Sequence, residues 1–173
     1  MLIFEEHGSN APAAEAEPIV AAAQLESETQ FDVYLFAMWP LFDEGQFEAW
    51  LAGELTQGYT LTSEFRDELA ALDPPAEIYL IPMDPLFRER VVDGPLAGLT
   101  FHDLFVGDDA LSAGSATTDF VKALVVYMGV FRRKPSLPLT VPEDVHPAVD
   151  QNQGELVDVI WDRLVLEEDR LGF

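Results

Sequence analysis

The sequence predicts a single domain of the α/β or α+β class, with a small mixed sheet flanked by four or five helices. Three observations lead there. Short aromatic and β-branched runs alternate with stretches whose apolar residues recur at helical spacing. An eleven-residue pattern occurs twice, each time where a strand would pass into a helix. Finally, 173 residues that are 49% hydrophobic, with 12 Phe and 3 Trp, suffice for one core and rule out wholesale disorder.

The elements follow in order. Residues 1–30 are rich in Ala, Glu and Pro and contain one aromatic, Phe4, so they are read as an acidic arm or linker with a short helix over 18–25. No basic segment precedes an apolar one at the start, so no secretory leader is expected. Residues 31–173 form the expected globular domain. FDVYLFAM at 31–38 reads as a buried strand. Over 42–55, Phe47, Trp50, Leu51 and Leu55 keep helical spacing. Thr62 or Ser63 caps a second helix with Phe65, Leu69 and Leu72 on one stripe, stopped by Asp73-Pro74-Pro75. EIYLI at 77–81 is a second strand, and Asp84-Pro85 supplies an N-cap and a first-turn proline for a short helix to about Val92. The apolar run over 118–131 is a buried helix, too short for the ~20 residues of a membrane span. Residues 135–147 hold four prolines and form a loop with an edge strand at 139–141. Over 154–171, Leu156, Val157, Ile160, Trp161 and Leu164 make a wide helical apolar face.

The repeat is the strongest local signal. YLFAMWPLFDE at 34–44 and YLIPMDPLFRE at 79–89 agree at seven of eleven positions, with an offset of 45. Each copy reads as strand, Met, spacer, Pro, Leu-Phe and an acid. The expectation is a duplicated βα unit, 31–44 and 76–89, with both strands in one sheet and Pro40 and Pro85 at equivalent junctions. Two copies are too few for a solenoid.

Charge narrows the function. The net charge is −23, and residues 1–65 carry 12 acids and no base. Such a chain repels phosphates, so direct nucleic-acid binding and attachment to anionic membranes are excluded as expectations. The absence of cysteine removes disulfides, thiolate catalysis and Cys-based zinc sites. The acid excess is read first as a surface for a basic partner, where complementary potential steers association; salt adaptation and plain solubility are the competing readings.

No phosphate-loop, dinucleotide, nucleophile-elbow or HExxH pattern is present. His102-Asp103, Glu143-Asp144 with His146, and Asp108-Asp109 are sparse groupings without metal or catalytic spacing. No metal or cofactor is expected. The leading expectation is a non-enzymatic acidic interaction protein that binds a basic protein: an inhibitor, an immunity or antitoxin-like protein, a chaperone or a nucleic-acid mimic. Its partner-binding residues are Trp39, Asp43, Glu44, Glu48 and Glu54. The alternatives are a structural subunit of a larger assembly such as a virus particle, its copies joined through the N-terminal arm and through Arg132, Arg133 and Lys134, and a carboxylate-metal enzyme. The expected setting is cytoplasmic, or the virion if the chain is viral, with self-association between copies as a further expectation.

Overall fold

The computed structural model describes residues 2–6, 33–37, 42–55, 66–67, 71, 78–106 and 113–166. The fold is a mixed α/β single domain. Three strands, β1 (Leu2–Glu6), β2 (Val33–Ala37) and β3 (Ile78–Ile81), form a parallel sheet in that order. Side chains alternate across it. Tyr34, Phe36 and Ile81 enter the main core, while Val33, Leu35 and Leu80 on the opposite face are also buried. Both faces are therefore removed from water, which explains why the strands read as continuous apolar runs instead of alternating ones. The expected mixed sheet is instead a parallel sheet plus a separate antiparallel pair, β4 (Phe105–Val106) with β5 (Ala113–Gly114).

The repeat maps onto this sheet in register. Val33 pairs with Ile78, Tyr34 with Tyr79, Leu35 with Leu80 and Phe36 with Ile81, so the sequence offset is also the strand register. The Tyr34 and Tyr79 rings lie 5.2 Å apart. Beyond the strands, the two Leu-Phe phenylalanines converge: Phe42 stacks on Trp50 at 5.0 Å, and Phe87 meets the same ring at 6.3 Å. Both also meet Phe105. Pro85 sits in the first turn of α2 (Met83–Leu86), where a missing N–H leaves no helical bond unmade. Pro40 lies outside the described residues.

The copies diverge next. The first turns through a 3-10 segment (Glu44–Gln46) into a short helix, α1 (Phe47–Leu51). The second runs from α2 into a π-helical turn (Phe87–Val92). The sequence placed Asp84 at the N-cap of this helix. The structure corrects that: the helix starts at Met83, Pro82 holds the cap position, and the Asp84 side chain turns inward to the Trp50 indole.

α3 (Phe101–Leu104), α4 (Ala116–Phe131), α5 (Pro147–Gln151) and α6 (Gln153–Leu166) complete the domain. Ser115 caps α4, whose Val121, Leu124, Val125 and Met128 form one buried stripe. α6 buries Leu156, Val157, Ile160 and Leu164, the face read from the sequence, with Trp161 partly exposed beside it. Residues 132–146 are a loop without the edge strand expected at 139–141; the Leu139 backbone instead bonds the Gln153 side chain.

The boundary drawn at residue 30 also needs comment. Leu2–Glu6, inside the stretch read as an arm, pairs with β2 as an outer strand. Five residues with two acids at the end carry too weak a pattern to be separated from the stretch that follows. Residues 7–30, and the helix expected over 62–72 apart from positions 66, 67 and 71, lie outside the described residues. Among the described residues no helix is long and apolar enough to cross a membrane.

Candidate functional site

A groove of about 620 Å³ opens between α1 and the segment that follows the π-helical turn. One wall is Glu44, Phe47, Glu48 and Leu51; the other is Val92, Asp93 and residues 97–101. The first wall is fixed by a reciprocal cap. The Gln46 N–H donates to Asp43 Oδ1 at 3.1 Å, and the Asp43 N–H donates to Gln46 Oε1 at 3.2 Å. This starts the helix so that Glu44 and Glu48, four residues apart, face the same side.

The second wall depends on a tight reversal over 93–98, in which Gly98 adopts φ +87°. Asn152 ties this reversal to α5 by donating to Pro95 O at 3.0 Å and Ala148 O at 2.9 Å. A second cap, in which Asp103 accepts from the Thr100 N–H and hydroxyl at 2.8 and 2.7 Å, sets the start of α3. Those bonds hold the Asp103 carboxyl below the usual carboxylate range. Phe101 then meets Phe47 edge-to-face at 5.9 Å, and the two form an apolar floor.

Glu44, Glu48 and Asp93 are all exposed along the groove. His102 Nε2 lies 3.4 Å from Glu44. Among the described residues, Glu48 and Asp93 have no cation within 4 Å. The groove is thus an apolar floor beneath two carboxylates, Glu48 and Asp93, with no cation beside them among the described residues, and a third, Glu44, next to His102. That arrangement fits a side chain with an aliphatic stem and a cationic head.

Of the expected partner-binding residues, the structure brings Glu44 and Glu48 together in this groove. Asp43 acts behind them as a cap, Glu54 is exposed but outside the lining, and Trp39 lies outside the described residues. Asp93 was missed, because nothing in the sequence pairs the 93–101 reversal with α1 across more than 40 positions. The basic triplet engages its own chain. Arg132 lies over the Tyr79 ring at 5.4 Å, and Arg133 donates to the Tyr127 hydroxyl at 2.8 Å. Lys134 bonds Asp158 at 2.6 Å. His146, considered with Glu143 and Asp144, caps α5 by accepting from the Ala148 N–H at 3.2 Å. Among the described residues, no three Asp, Glu or His side chains converge as a metal ligand set.

A second polar feature lies beneath α1. Asp84 is 1% exposed, and its Oδ1 accepts from Trp50 Nε1 at 2.7 Å. Asp84 Oδ2 and Arg88 Nε are buried and unpartnered among the described residues. Burial pushes the Asp84 carboxyl up to about 6; the Trp50 hydrogen bond and the Arg88 charge oppose that rise, and Glu89 adds to it.

No known protein family model matches this chain, and searches of curated proteins and solved structures give no significant match.

Proposed function

We propose that this protein is a non-enzymatic acidic interaction protein that receives a basic segment of a partner protein in the groove between α1 and residues 93–101. One observation carries this reading: Glu44, Glu48 and Asp93 line an apolar floor, and among the described residues neither Glu48 nor Asp93 has a cation within 4 Å. Carboxylates of this kind steer a basic partner at long range, while Phe47, Leu51 and Phe101 supply the contact area that survives screening. An inhibitor, an immunity protein, a chaperone or a nucleic-acid mimic would each use such a surface.

The test compares wild type with Glu44→Lys/Glu48→Lys/Asp93→Lys in nuclease-treated source lysate at low and high salt. The expected result is a basic protein retained by wild type at low salt and lost from the variant. Equal retention by both would refute the groove as the binding surface.

A further inference from the structure

α1 is five residues long, too short to be a stable helix by itself, so its position depends on what anchors it. The anchor is Trp50. Its ring is wholly buried among Phe42, Phe47, Phe87 and Phe105. Its only polar atom reaches across to Asp84 on α2. Among the described residues, Asp84 in turn has a single donor, the indole, for two buried oxygens. The charged groups acting on it are Arg88 and Glu89, both from the following π-helical turn. α1 contributes the indole, and the nearby Phe87 and Phe105 rings are neutral.

A neutral carboxyl is tolerated in such a place. A carboxylate with one donor is undersolvated, and hydration by water is the direct relief. Admitting water means separating Trp50 from α2, which moves the helix carrying Phe47, Glu48 and Leu51. We infer that Asp84 is a positioning residue that works as a protonation-dependent latch: in its neutral form it holds the groove wall α1 against α2, and on ionisation it favours opening of that wall. The latch stands on the Asp84–Trp50 geometry; only its consequence for binding rests on the proposed groove.

The test is solvent exchange of the Trp50 indole N–H, followed by NMR on the full chain at pH 4.5 and 7.5 and corrected for intrinsic catalysis. Trp50→Phe assigns the signal. The expected opening constant in wild type rises on the order of 25-fold between these pH values, from a carboxyl near 6 when closed and near 3.8 when open. In Asp84→Asn, which keeps the acceptor and removes the charge, the rise disappears. The latch is overturned by a flat wild-type response, by an equal rise in Asp84→Asn, or by indole exchange at the rate of the Leu156 and Ile160 amides, which would mean global unfolding. Repeating the measurement with a saturating synthetic peptide of alternating arginine and leucine separates the two claims. Slower exchange supports the coupling of latch to groove. An intact pH response untouched by the bound peptide overturns that coupling and leaves the latch itself standing; the groove reading fails separately, if peptide-induced shifts do not fall on Glu44, Glu48 and Asp93.

Discussion

Replacing Asp84 by Asn should make the protein more stable at neutral pH, an unusual outcome for a fully buried polar residue. The folded carboxyl titrates near 6 and the unfolded one near 3.8, a separation of about 2 units, equivalent to about 3 kcal/mol. The sign follows from proton counting. Between these values the native state holds the proton and the unfolded state does not, so stability falls as pH rises. The contribution is fully present below about pH 4 and lost as pH passes 6. Roughly 2 kcal/mol of it falls between pH 4.5 and 7.5. Asn keeps the acceptor for Trp50 but places an NH₂ where Oδ2 is unpartnered, near the Arg88 donors, at a cost of about 1 kcal/mol. The variant should therefore gain about 2 kcal/mol over wild type at pH 7.5 and show little gain or a slight loss at pH 4.5. Urea unfolding at the two pH values reads the difference directly. A variant less stable than wild type at pH 7.5, or a gap between them that does not change with pH, would refute the reasoning.

Two further substitutions probe the packing. A Cβ at Gly129 would lie 2.7 Å from Ile81 Cδ1, where α4 crosses β3, so Gly129→Leu should overpack the core and lower stability by about 1–3 kcal/mol in urea unfolding; an unchanged midpoint would contradict this contact. Lys134→Ala removes an exposed ion pair with Asp158 and should change stability by less than about 0.5 kcal/mol, so a loss above 1 kcal/mol would show that the basic triplet matters to the fold.

The parts of this fold that were legible in the sequence are those fixed by local periodicity. The α6 stripe is visible because Leu156, Ile160 and Leu164 recur one turn apart, and that face is the one buried. The repeat was legible as two strands of one sheet; that they pair parallel and in register, with Tyr34 beside Tyr79, emerges only in the structure. Asp84 shows where local rules fail. Asp-Pro is a strong helix-start signature, yet an indole 34 residues earlier in the chain claimed the carboxylate. The site was half legible for the same reason. Glu44 and Glu48 sit together on one helical side, whereas Asp93 and Phe101 join them only through tertiary packing around the 93–98 reversal.

The account stands most directly on the groove, and an NMR titration of isotope-labelled protein with the arginine–leucine peptide tests it. The expected shifts cluster at Glu44, Glu48, Asp93, Gly98 and Thr100, and weaken as salt is raised. Shifts centred elsewhere on the surface, or none at low salt, would contradict the groove as the place where a basic partner binds.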